Sequence, residues 1–199
     1  MPEVLALRGA FEKHLRDLPS QGNASDLLIE ERLDLSMATV MSRGDDRALA
    51  AQVHDAFGLA LPSTPRRVSD GVKAMVGIGP GVWLAAFDKA GPLMASELAS
   101  SLIGLASVSD QSSTYAVLRI SGPSARQILS RGAFIDFAPL VFGAGSAAVT
   151  VISHIGAIVW QVDDVPTFEV ALFRSFAGSF WHWIQANCAA LGIGIVRNG

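Results

Sequence analysis

The sequence predicts an α+β protein made of two intertwined split βαβ, or ferredoxin-like, units preceded by an N-terminal helical arm. Three observations predict it. Short runs with alternating apolar residues interleave with stretches of helical periodicity, which is the signature of mixed α and β layers. The order strand, helix, strand, strand, helix, strand appears once and is then repeated in pattern, without a repeat of sequence. A linker separates residues 1–26 from the remainder, so the chain divides into an arm and linker over 1–26 and an α+β domain over 27–199.

In the arm, Val4, Leu7, Phe11, Leu15 and Leu18 recur at helical spacing with charged residues between them, which predicts an amphipathic helix over 4–18. Such a helix must bury its apolar stripe on its own domain or on another subunit. "PSQGNASD" at 19–26 has the composition of a linker. The first unit then reads as a strand over 33–42, a helix over 45–57, strands over 72–79 and 82–87, and a helix over 93–105. "SVSDQSS" reads as a turn, so the strand over 114–120 closes the first unit and opens the second. The second unit continues with a helix over 123–131, strands over 147–153, 156–162 and 167–173, and a helix over 175–191.

Composition restricts the function. Of 199 residues, 50% are hydrophobic and 17% charged, against about 25% charged in an average soluble domain. So little charge suggests a surface partly covered by a partner. A formal charge of −3, with lysines only at 13, 73 and 89 and no basic run, argues against nucleic acid. One cysteine, Cys188, cannot form an internal disulfide. The start, "MPEVLALRGAFEKHLRDL", lacks the features of a secretory signal, and the longest apolar stretch, 147–160, is broken by Ser153 and His154. It is short of the roughly 20 residues that span a bilayer. A cytoplasmic protein with no membrane partner is the expectation.

Each candidate site has a structural explanation. "GIGPGVW" at 77–83 has a superficial likeness to a dinucleotide loop, but its spacing is wrong, Pro80 removes a donor, and "VWLAAF" resumes as a strand; a hairpin is expected. In "STYAVLRISGPSARQILSRG", 113–132, Ser121 or Gly122 suits an N-cap, Pro123 the first turn and Gly132 the helix end. A phosphate cradle there would need further glycines or a lysine. His14, His54, His154 and His182 lack metal-ligand spacing. Asp163 and Asp164 are adjacent and read as a turn. Glu169 shares one strand face with Ala171 and Phe173, opposite Phe168, Val170 and Leu172, and is expected to pair with Arg119 or Arg174 or else to face a partner. Phe176, Phe180, Ile184, Cys188 and Leu191 form one helical stripe, which makes Cys188 a buried apolar residue. Trp181 and Trp183 lie around the helix from it and suit either the core or an interface.

"GPGVW" at 79–83, "VLRISGPSARQILSRG" at 117–132, "GSAAVTVI" at 145–152, "VDDVPTFEV" at 162–170 and "RSFAGSFWHWI" at 174–184, taken in order, resemble the gamma subunits of heterotetrameric sarcosine oxidases. Ala133 and Phe134 stand where that pattern has Cys-Pro, Val149 where it has Gln, and Phe173 where it has Pro. The resemblance implies a fold like the folate-binding domain of aminomethyltransferases, in a complex of alpha, beta, gamma and delta chains. It implies oxidation of the N-methyl group of sarcosine, with transfer of the one-carbon unit to tetrahydrofolate or release of formaldehyde, and formation of hydrogen peroxide. FAD, FMN, NAD and tetrahydrofolate are then expected in the other subunits and zinc in delta, with gamma packed mainly on alpha and carrying no catalytic, cofactor-binding or metal residue.

Two further readings stand beside an assembly subunit. The chain could bind folate by itself, with Glu169 or Asp110 at the pterin. It could also be a stand-alone enzyme, which needs a convergent polar pocket that the sequence does not display.

Overall fold

The computed structural model describes residues 8–20, 22–23 and 26–197. Two antiparallel-rich sheets lie face to face, each carrying helices on its outer side. The first contains β2 (Leu35–Ser42), β3 (Arg67–Ser69), β4 (Lys73–Gly79), β5 (Val82–Asp88) and β6 (Ala106–Asp110), in the order β3-β4-β5-β2-β6. Helices α2 (Asp46–Phe57) and α3 (Met94–Ser101) cover it, with Leu49, Val53, Met94 and Leu98 packed on Val40, Met75, Ala85 and Phe87.

The second sheet contains β1 (Leu27–Glu31), β7 (Tyr115–Ser121), β8 (Ala147–Ile152), β9 (Ile155–Asp163), β10 (Thr167–Phe173) and β11 (Ile195–Arg197), in the order β11-β1-β7-β10-β9-β8. Helices α4 (Ala125–Ser130) and α5 (Ala177–Leu191) cover this one. The period-2 alternation of its strands decides what faces where. Phe168, Val170 and Leu172 point to the helices, each fully buried, and each contributes about 1.5–3 kcal/mol relative to exposure. Ala171 instead joins Val117, Ile158 and Trp160 against Met37, Val76 and Leu84 of the first sheet, forming the layer between the sheets.

The α+β class stands, but the strand shared between the units does not. β7 belongs to the second sheet alone, and β6, overlapping the stretch read as a turn, closes the first unit by pairing with β2. β6 is an edge strand rich in serine and mostly exposed, so no apolar alternation marks it. The two units interlock differently: β1, just after the linker, inserts between β11 and β7 of the second sheet.

The predicted helix over 4–18 is reduced to α1, Glu12–Leu15; Val4 and Leu7 lie outside the described residues. Phe11 is fully buried in the core of the second sheet, and the N–H groups of Ala10 and Phe11 donate to the Glu31 carboxylate at 2.6 and 3.0 Å. The described part of the arm therefore docks on its own chain. Burial raises the Glu31 pKa, although those two N–H bonds oppose it.

Helix α4 begins two residues later than expected, with Ser124 rather than Ser121 or Gly122 at its N-cap. Gly122 has φ +103° and a Cβ there would sit 2.9 Å from the Asp26 carbonyl oxygen, so a glycine is required by backbone geometry rather than by a cap. Gly132 follows the C-cap, Arg131, and a Cβ on it would strike Trp183 at 2.5 Å. The stripe on α5 also shifts: a 3-10 turn over Arg174–Phe176 precedes the helix and leaves Phe176 exposed, whereas Trp181 is buried and Trp183 packs on the same core.

Candidate functional site

The hairpin between β4 and β5 accounts for "GIGPGVW", which opens into a strand and so does not fit the phosphate of a flavin or nicotinamide cofactor. Among the described residues no group of His, Cys, Asp and Glu is placed to hold a metal ion. His14 and His182 come together, with ring centroids 6.4 Å apart, and His14 stacks on Trp181 at 6.0 Å. Asp163 ends β9 and Asp164 lies in the turn to β10. Cys188 is buried, and that burial pushes its thiol up to about 11, far from a nucleophile.

The structure does contain a convergent polar pocket. Between the sheets is a cavity of about 270 Å³, and Arg32, Arg67, Asp88, Arg119, Trp160 and Glu169 line its polar side. Glu169 and Arg119 are register partners on β10 and β7, and Glu169 and Trp160 are partners on β10 and β9, so all three share the face turned to the first sheet. Arg32 enters from the connection after β1, held by its N–H to the Val117 carbonyl. Arg67 comes from β3 and Asp88 from the end of β5.

The small pair Ala74 and Ala86, opposite each other on β4 and β5, and the turn at Gly71 leave the room.

Glu169 is engaged on both oxygens. Its Oε1 accepts from Arg32 Nη1, from Arg119 Nη2 at 2.6 Å and from Arg119 Nε at 3.0 Å, while Oε2 accepts from Trp160 Nε1 at 2.7 Å. The four bonds, three on Oε1 and one on Oε2, tie this carboxylate into the network of Arg32, Arg119 and Trp160 rather than presenting it to a pterin. Of the two arginines expected beside it, Arg119 is a partner; Arg174 instead donates to the Arg8 carbonyl. Arg32 also binds Asp34 at 3.1 Å and Asp88 at 2.9 Å. Burial disfavours the Arg32 charge, but Glu169, Asp34 and Asp88 more than offset this and raise its pKa. Burial pushes Asp34 up, but its hydrogen bond and charge attraction to Arg32, with its own N–H and Lys89, together lower its pKa.

Arg67 differs from the other two. Its side chain makes one hydrogen bond, from Nη2 to Ser69 Oγ at 3.1 Å, and no salt bridge among the described residues. Burial pulls its pKa below the ordinary value, partly countered by Glu169 and Asp88 across the cavity. Asp110, the other residue considered for a pterin, sits on β6 at the edge of the first sheet and binds the N–H and hydroxyl of Ser112. The structure does not bring it to Glu169.

Sequence reasoning found Arg119 and Glu169 but missed Arg32, Arg67, Asp88 and Trp160. Each belongs to a different strand or connection, and spacing along the chain carries no signal for a cluster assembled across two sheets.

Comparison with known proteins agrees with this architecture. The chain is 27% identical over 169 residues to the "Sarcosine oxidase subunit gamma" of an Arthrobacter species, covering 81% of each. Its fold is similar to a chain of the heterotetrameric sarcosine oxidase from Corynebacterium sp. U-96, solved in complex with pyrrole 2-carboxylate: TM-score 0.79, 20% identity, 89% of this chain and 92% of that one. It is also similar to the glycine cleavage system aminomethyltransferase T from Bartonella henselae, with TM-score 0.60 and 11% identity over 94% of this chain and 51% of that one. A family model spans residues 42–190, from the last residue of β2 to the final turn of α5, and by that match the chain belongs to the sarcosine oxidase gamma subunit family.

Proposed function

We propose that this chain is the non-catalytic gamma subunit of a heterotetrameric sarcosine oxidase-type complex, packed mainly on an alpha subunit and accompanied by beta and delta. That complex oxidatively demethylates sarcosine or a related N-methyl amino acid to glycine. Formaldehyde or 5,10-methylenetetrahydrofolate and hydrogen peroxide are the other products, and FAD, FMN, NAD, tetrahydrofolate and zinc sit in the other chains of a cytoplasmic assembly. The observation that carries this reading is the family match over residues 42–190.

The surface supports it. Tyr115 and Phe173 stack at 5.3 Å at one end of the inner sheet face, and Ile78, Val149, Gly156 and Ile158 complete an apolar groove around them. Val149 and Phe173 are 58% and 47% exposed, and contiguous apolar surface of this kind marks protein contacts. Co-expression with the other three subunits tests the reading. Co-purification with a yellow, flavin-containing larger chain is expected; a soluble monomer that associates with none of them overturns it. Folate binding by the chain alone has less support, because Glu169 is already committed to Arg32, Arg119 and Trp160. Tetrahydrofolate titration followed by tryptophan fluorescence separates the two, with no micromolar quenching expected from the isolated chain.

A further inference from the structure

We propose that the cavity between the two sheets binds a small carboxylate, gripped by Arg67 from the first sheet and Arg119 from the second. Three guanidinium groups line it against two carboxylates, Asp88 and Glu169. Arg32 and Glu169 neutralise each other at its floor, both side chains about 95% buried, and Asp88 binds Arg32 as well. Arg67 is the one of the three guanidinium groups that makes no salt bridge among the described residues. A guanidinium has five N–H donors, and Arg67 uses one on Ser69. Ser69 Oγ also accepts the Gly71 N–H at 3.0 Å, which fixes the hydroxyl and aims Arg67 at the cavity. Arg119 spends Nε and Nη2 on Glu169, and its Nη1 forms a long ion pair with Glu30 at 3.9 Å, without a hydrogen bond between them.

These donors face one space from opposite walls, a geometry suited to a planar carboxylate. Leu35, Val72 and Trp160 give the same space apolar sides for a short carbon chain. A volume near 270 Å³ equals about nine water molecules at roughly 30 Å³ each, enough for a carboxylate of a few carbons and too little for a nucleotide. Partial burial of the Arg67 charge without an ion pair among the described residues is a cost that a bound anion reduces. This assignment is independent of the subunit reading, since the residues belong to this chain alone.

Trifluoroacetate is the probe, followed by fluorine NMR on the full chain, alone or in the complex with which it co-purifies. Saturable line broadening that acetate displaces is expected. Arg67→Gln should weaken the apparent affinity by about tenfold or more, the effect of losing a charge-assisted contact. Ala74→Val fills the cavity while leaving every charge in place and should weaken it comparably. Arg43→Gln, at an exposed site just past the end of β2, should not change it. Circular dichroism checks that each variant folds. Undiminished binding in a folded Arg67→Gln or Ala74→Val protein, or no saturation in the parent, overturns the site. Displacement by sulfate as effective as by acetate at matched ionic strength overturns the carboxylate assignment.

Discussion

Arg119 and Glu169 stand directly opposite each other on β7 and β10, with Nη2 and Oε1 2.6 Å apart. The pair is part of a closed network, because Arg32 reaches the same oxygen and Trp160 takes the other. A buried ion pair gains little over a well-packed apolar pair, since desolvation cancels most of the attraction. Its significance lies in what happens when one member is lost.

Glu169→Ala should therefore destabilise the protein by about 3–5 kcal/mol, because it leaves the buried Arg32 short of a counter-charge and strands the Trp160 N–H. Glu169→Gln keeps one acceptor oxygen for Arg32 and Arg119, although its amide NH2 then meets the Trp160 N–H, and should cost less than the alanine variant. Urea denaturation measures both. A loss below about 1 kcal/mol for the alanine variant would mean that Asp34 and Asp88 suffice to hold Arg32.

The local parts of this site were legible, and the assembly was not. "TFEVALF" announced a two-faced strand, and β10 divides as its alternation requires, with Glu169 turned inward. The hairpin after Gly77 and the helices α2 and α5 follow from turn chemistry and periodicity in the same way. Three of the four missed strands, all but β1, have a common physical cause. β3 and β11 are three residues long, and β6 shows serines and an aspartate to solvent, so pairing rather than side-chain pattern creates them. The cavity is farther still from the sequence. Ala74 and Ala86 look like ordinary strand alanines until the second sheet sets Arg119 and Glu169 over them.

His14 makes stability depend on pH. Burial lowers its pKa, with the charges of Lys13 and His182 acting in the same direction, and its Nε2 is buried with no hydrogen-bond partner among the described residues. The folded state thus favours neutral His14. Its contribution is present above the unfolded pKa of 6.5 and is lost as pH falls below that value toward the lowered folded one. The melting temperature should fall on acidification through this window. His14→Phe should flatten the fall while keeping the stacking on Trp181; an unchanged pH profile in that variant would remove His14 as its source.

Two glycines in strands should respond oppositely to alanine. A Cβ at Gly77 would lie 2.6 Å from the Thr64 carbonyl oxygen, a backbone atom that cannot swing away, so Gly77→Ala should cost about 1–3 kcal/mol. Gly156 has open space where its Cβ would point and no left-handed φ. Gly156→Ala should stabilise by about 0.4–1 kcal/mol through reduced freedom of the unfolded chain. Chemical denaturation of the two variants side by side checks the sign of each.

Cys188 supplies a reporter of opening. Its side chain lies in the core between α5 and the second sheet, and with the thiol pushed up to about 11, roughly one molecule in a thousand holds a thiolate at pH 8. Attack on a disulfide reagent requires the thiolate and access to it, and the folded protein denies both. Reaction with an aromatic disulfide should therefore wait for an opening of the core that exposes α5. The rate should then stop rising with reagent concentration once opening limits it, and should be faster in Glu169→Ala if the ion network and the α5 core open as one unit. A fast, concentration-proportional reaction in the parent protein would show that Cys188 is reached without unfolding.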